Sequence, residues 1–303
     1  MPQPETLTLK IVRIVATPII AITFAFLLFN TKFLASYENR IYDLQYRLRG
    51  PEADEPQRVV IVEIDDASLS RHGAWPWPRI LLARLLSRIA EGSPRVVGVD
   101  LLLDLPESAR KDGDRELARL FSAHSRWVLP AVLSPARDGA KRTALLEPLP
   151  LFMTSNSAQG AVNLEPDESD RAIRRFCIEG GDGRLSFAAA VIAAADSVPP
   201  ASITAKTHRF VIGDRSIPLA GGRVFINYKG VKMEHYSAAD VMDDYFDPEL
   251  FFKDRIVLVG RTDLASKDFF PTSMPGVRLL ETESMAGVRY GRKPSTPSWE
   301  IVP

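Results

Sequence analysis

A chain of 303 residues in which 38 lysines and arginines balance 38 aspartates and glutamates has no basic surplus that would mark a nucleic-acid face. Its single cysteine excludes an internal disulfide framework and a cysteine-rich zinc cluster, and its four scattered histidines show no metal-ligand spacing. At 46% hydrophobic and 25% charged residues, the composition is globular and the length suits one membrane segment plus one large domain or two small ones.

After a short amino terminus (1–10), residues 11–30 hold the apolar run Ile11–Phe29, about 19 residues long and within the ~17–25 that cross a bilayer. Arg13 lies near enough to the end to snorkel, and Pro18 is tolerated in a membrane helix. The run is long for a cleaved signal, and Phe33 spoils a small-x-small site before Ser36, so an uncleaved transmembrane anchor in the lipid bilayer is expected. Charge leans against an external domain, with Lys10 and Arg13 before the run and Lys32, Arg40, Arg47 and Arg49 after it. Residues 31–50 follow as an amphipathic helix, Tyr37, Ile41, Leu44 and Leu48 recurring at helical spacing before Gly50 and Pro51 end it.

The stretch Arg58–Asp104 predicts a βαβ unit. Val59–Ile64 is a β-branched run closed by Asp65 and Asp66; a turn with Gly73, Pro76 and Pro78 around Trp75 and Trp77 follows. From Arg79, Ile80, Leu81, Leu85, Leu86 and Ile89 mark one helical face that stops at Gly92-Ser93-Pro94, and Val96–Val99 is a second strand ending on Asp100. Such a unit sets its strands parallel, and ligands of open α/β sheets sit beyond the carboxyl ends of the strands. Further along, a helix is expected over 112–123, a strand over 127–133, a surface loop over 134–149 and a small-residue helix over 187–195. A polar turn at Asp167–Asp170 between two strands, two or three short strands across 208–230, a short helix capped by Ser237, and a strand over Arg255–Gly260 come next. A helix and a proline-rich exit close the chain.

"YDLQYRLRG", "VEIDDASLSRHGAWPWPR", "VVGVDLLL", "NLEPDESDRAIRRF", "FINYKG", "SAADVM", "RIVLVGRTD" and "FFPTSMPGV" stand in this order. The collinear series resembles the CHASE type 2 domain, an extracytoplasmic sensor of bacterial receptors. The resemblance implies an α/β fold, mainly a parallel sheet with helices on both faces, forming a sensor domain over 51–298 behind one transmembrane helix. It implies an amino terminus inside and a sensor outside the inner membrane, without an enzymatic activity of its own. The partners implied are an extracytoplasmic ligand and an output module such as a cyclase, a histidine kinase or a serine/threonine kinase. A homodimer is expected too, joined along Tyr37–Leu48. No cofactor is implied. Two features depart from the family pattern. Arg278-Leu279-Leu280 replaces a Glu-Ile-His-Ala-like segment after "MPGV", and no output domain precedes Pro303. Residues 299–303 are therefore read as an exit towards further membrane helices, with the output on a separate signalling protein or on the remainder of a receptor.

The candidate ligand-binding residues are Asp65, Asp66, Trp75, Trp77, Arg79 and Asp100. Three carboxylates at strand ends suit a hard cation or a polar ligand; equally, Asp66 or Ser68 caps the turn while the others pair with arginines. The tryptophans either stack on a ligand or plug the helix onto the sheet. Arg79 pairs with an anion or with Asp65. The runner-up reading is a periplasmic metal-dependent hydrolase built on the acidic cluster. Ser68, Ser70 and His72 lack a nucleophile-elbow context.

Overall fold

The computed structural model describes residues 7–29, 32–49, 58–107, 111–123, 126–135, 143–164, 166–167, 169–178, 184–199, 202–206, 208–220, 222–228, 233–264, 269–272 and 278–280. The chain divides into two compact units, Met1–Gly50 with Glu168–Asp170, and Pro51–Asp167 with Arg171–Pro303.

The first unit contains α1 (Leu7–Phe29), with Pro18 inside it, and α2 (Lys32–Arg49). Side chains described on α1 run from Ile14 to Phe26, and Ile14, Ile19, Ile20, Ile22, Phe24 and Phe26 are all exposed. Among the described residues no helix is long and apolar enough to cross a membrane. The transmembrane helix expected over 11–30 is thus left unsupported by the structure.

The second unit is built on a sheet whose path is β11 (Glu234–Ser237), β1 (Val59–Ile64), β12 (Ile256–Arg261), β2 (Val96–Asp100) and β3 (Trp127–Pro135), with β5 (Ser157–Ala161) on β3. Every pairing along that series is parallel. Burial on both faces explains the near-continuous β-branched runs of β1, β2 and β12. The βαβ unit is present, but β12 lies between β1 and β2, so the two strands are parallel without being neighbours. The apolar run of a strand is local, but its neighbours in the sheet are not: here they are set by β12, which follows β2 by some 160 residues.

Helices cover both faces. On one, α4 (Arg79–Glu91), α5 (Lys111–Ala123), α7 (Ala238–Val241) and α8 (Pro248–Phe252) place Leu82, Leu85, Leu117, Phe121, Val241 and Phe252 against Val60, Val62, Val97, Val99, Val257 and Val259. On the other, α6 (Phe187–Ala195) sets Phe187, Ala190 and Val191 against Val96, Val128 and Leu258. The opposite side of α6, through Ala189 and Ala193, meets Phe210 and Ile212 of the hairpin sheet β7 (Ile203–Lys206), β8 (Arg209–Ile212) and β9 (Arg215–Pro218). A helix held between two layers needs small residues on both sides, which is what its alanines supply. At Gly160 an added Cβ would lie 2.4 Å from Phe187 Cα, so β5 and α6 touch backbone to backbone.

Three local expectations are corrected. The stretch 134–149 is not all loop: β4 (Thr143–Leu146) pairs antiparallel with β3 from Val132 onward, where the ladders of β2 and β5 have ended. The turn after Asp66 contains α3 (Asp66–His72). The closing helix begins instead as β14 (Arg278–Leu280), antiparallel to β13 (Phe269–Pro271), and the remainder of that expected helix and the exit lie outside the described residues. One further strand, β6 (Arg175–Cys177), pairs with β10 (Arg223–Phe225).

The polar turn expected at Asp167–Asp170 closes with Arg171 N–H donating to Asp167 O and Asp167 N–H to Ala172 O. Arg171 adopts φ 64°, a left-handed conformation in which a Cβ is strained. Arg171→Gly is expected to stabilise the protein by about 1 kcal/mol, read as a raised melting temperature. A loss of stability would show that the arginine side chain, not the backbone, holds this turn.

Candidate functional site

Asp65 leaves β1 with extended backbone (φ −94°, ψ 179°) and caps α3. Its Oδ1 accepts the Ser68 amide at 2.9 Å, the Ser68 hydroxyl at 2.7 Å and the Ser237 hydroxyl at 2.8 Å. Ser68 is wholly buried, and its Oγ accepts the Ala239 amide at 3.1 Å. One carboxylate therefore joins the end of β1 to the end of β11 and to the start of α7. The cap is Asp65, not Asp66 or Ser68, because only the first residue beyond the strand can turn its side chain onto the amides of the following turn.

Asp66 is exposed in the first turn of α3, where the Leu264 amide donates to its Oδ1 at 3.4 Å. Asp100 ends β2 opposite Gly260 of β12, and Gly260 is in turn opposite Glu63 of β1. Asp65 and Asp100 thus stand two strand spacings apart, roughly 10 Å. The three expected carboxylates do not form one cluster, since β12 separates them.

Instead, one sheet row holds Glu63, Gly260 and Asp100. Glu63 is buried, and its Oε1 lies 2.6 Å from His235 Nδ1 on β11; the Thr262 hydroxyl donates to its Oε2 at 3.3 Å. This pair was missed by sequence reasoning. The available signal was a lone carboxylate inside "VVIVEI", which a buried strand tolerates only with a partner.

Trp77 is buried, donates its indole N–H to Gly73 O at 2.8 Å and meets His72 edge-on at 5.8 Å: it is a plug. Trp75, joined to Pro76 by a cis peptide, is half-buried, with the Arg261 guanidinium 5.0 Å above its ring. Arg261 forks onto the buried Asp263 with two bonds of 2.9 Å. Arg79 pairs with Asp114 at 3.5 Å and not with Asp65. Its amide donates to Glu107 and its guanidinium to Leu105 O, because the loop after β2 folds back over the uncapped start of α4. Burial lowers the pKa of Arg79 from its usual value, and the carboxylates of Asp114, Glu107 and Asp104 oppose that shift.

A groove of about 930 Å³ lies along α4 and α5, lined by Ile80, Arg84, Ser87, Glu116 and Leu120 among others; none of the six expected residues lines it. Among the described residues no group of three or more His, Cys, Asp and Glu is placed to hold a metal ion.

The pKa of His72 is lowered, first by burial and then by Arg71 and Arg84. The folded state therefore prefers the neutral imidazole. The resulting stability is present above the unfolded value of 6.5 and is lost as pH falls from there through the lower folded pKa. His72→Phe keeps the ring against Trp77 and is expected to remove this part of the acid loss. The melting-temperature difference between wild type and variant should be flat above pH 6.5 and move against wild type below it. A difference that stays constant through this range would contradict the assignment.

A family model described as the CHASE2 domain matches residues 19–290. No curated protein and no solved structure matches the chain.

Proposed function

Since the chain belongs to the CHASE2 domain family, a family of extracytoplasmic sensor domains, we propose that it is the sensing part of a membrane-anchored receptor that relays a stimulus to an output module. The anchor is α1, and the sensor stands outside the bacterial inner membrane. The family match over 19–290 carries this reading, because it takes in the later part of the apolar run, from residue 19, together with all the described residues of the α/β unit. The exposed apolar side chains from Ile14 to Phe26 support the anchor, being unsuited to water.

The stimulus acts on the carboxyl ends of β1, β12 and β2, the position where open parallel sheets present ligand contacts. Asp65, Trp77 and Arg79 are occupied by internal bonds there and serve as scaffold. Asp66 and Trp75 form the ligand-facing part, with Arg261 beside the Trp75 ring, and Asp100 borders it at the end of β2. Binding would shift how β1 and β12 end, and both strands run through the middle of the sheet.

Alkaline washing of membranes from cells expressing the full chain tests the anchor. The intact chain should stay in the pellet. A shortened soluble product beginning near Ser36 would show a cleaved signal instead.

A further inference from the structure

Four neighbouring parallel strands each begin directly after an arginine: Arg58 before β1, Arg255 before β12, Arg95 before β2 and Arg126 before β3. The backbone ladder of the sheet runs on through them. Ile256 N–H donates to Arg58 O, Arg95 N–H to Arg255 O and Val97 N–H to Arg126 O, each at 2.8 Å. The four residues are thereby fixed in strand order across one end of the sheet, at roughly 5 Å per strand.

Their guanidinium groups are held without being used up. Arg126, exposed, donates to Ala194 O at 3.0 Å and to the Ser197 hydroxyl at 2.5 Å. Arg95, its side chain 47% exposed, donates to Ala195 O at 2.7 Å and pairs with Asp196 at 3.3 Å. Capping the carboxyl end of α6 explains those bonds, but each fork keeps several of its five N–H donors for the solvent. Arg58 is exposed and pairs with no carboxylate among the described residues. Arg215 shares Asp196 with Arg95, and Arg255 pairs with Glu234. Among the described residues, five arginines thus share this end with the carboxylates Asp196, Glu234 and Asp254, a local cationic surplus in a chain whose total charge is balanced.

We propose that this arginine row docks on acidic phospholipid headgroups of the membrane surface. Charge selects the occupant: guanidinium forks match phosphate oxygens two at a time, and side chains held in place beforehand lose less freedom on binding. Position selects it too. The chain enters β1 at Arg58, nine residues after α2 ends, so along the chain this is the end of the sheet closest to the proposed anchor. Docked this way, the carboxyl ends of the strands, where the stimulus acts, face away from the bilayer. The inference rests on that anchor, and one experiment separates the two.

The full chain with Cys177→Ser carries one fluorescently labelled cysteine, either Ala123→Cys, three residues before Arg126, or Leu264→Cys, beyond the carboxyl end of β12. It is reconstituted in vesicles of phosphatidylcholine alone or with about a third phosphatidylglycerol, both containing a lipid with a quencher on its headgroup. Flotation with the pure phosphatidylcholine vesicles reports the anchor. Docking predicts quenching at 123 that is at least about twofold stronger with phosphatidylglycerol, and no such difference at 264. About 1 M NaCl, which screens charges within roughly 3 Å, should abolish the difference. Arg58→Gln with Arg126→Gln should remove most of it, at roughly fivefold in the docked ratio for each arginine. Equal quenching at 123 in the two vesicle types, a difference as large at 264, or one that survives either salt or the double variant overturns the proposal, while flotation leaves the anchor standing. Flotation only with phosphatidylglycerol would sink the anchor and support the docking, and flotation with neither would sink both.

Discussion

Asp65→Ala is expected to lower the unfolding free energy by about 3 kcal/mol. The figure combines the loss of a helix cap, about 1 kcal/mol, with the stranding of two hydroxyls, one of them on a fully buried serine. Asp65→Asn retains an oxygen acceptor in the same place and should cost about 1 kcal/mol, the difference between a charged and a neutral acceptor. Neither added Mg²⁺ nor added Ca²⁺ should raise the wild-type melting temperature through this residue, because Oδ1 already has three donors. A wild-type melting point that climbs with metal while that of Asp65→Asn does not would mean that a cation, not the serine network, holds the corner. A loss below about 0.5 kcal/mol in Asp65→Ala would show the clasp to be ornamental.

The second large effect concerns Glu63 and His235, the contact that fastens the edge strand β11 to β1. His235→Ala withdraws a partner from a buried carboxylate and should cost about 3 kcal/mol, since the uncompensated charge, more than the lost attraction, sets the penalty. Replacing both groups by apolar residues of similar size, Glu63→Met with His235→Leu, should recover all but about 1 kcal/mol of that loss. Equilibrium unfolding of the two single variants and the double variant measures this directly. Additive losses in the cycle would contradict a coupled pair.

How far the molecule could be read from its sequence follows from which forces are local. The strands β1, β2 and β12 were legible because each is a β-branched run buried on both faces. The helices α4 and α6 were legible from their apolar spacing and small residues, and α7 from its Ser237 cap. The helix α3 was not, since "DASLSRH" has too little apolar periodicity and owes its start to the Asp65 cap. Nor was β11, whose residues Glu234–Ser237 are only half-buried at the sheet edge and show no apolar pattern. The site suffered most. Asp65 and Asp100 looked adjacent because β1 and β2 are adjacent in the chain, and β12 arrives from far downstream to separate them. The Glu63–His235 contact spans 172 positions, a distance at which no spacing rule operates. Arg79 was read as a ligand or Asp65 partner, but its true partner Asp114 sits on the next helix, and only packing of α5 on α4 brings them together.

In the proposed topology the α/β unit faces the outside of the inner membrane while the amino terminus stays within. Tyr245, 98% exposed, offers a reporter position on that unit. In a Cys177→Ser background, Tyr245→Cys and, separately, Gln3→Cys are treated with a membrane-impermeant maleimide on spheroplasts and again after permeabilisation. With that topology, Tyr245→Cys is labelled on intact spheroplasts and Gln3→Cys only once the membrane is opened. Labelling of Tyr245→Cys only after permeabilisation would contradict it.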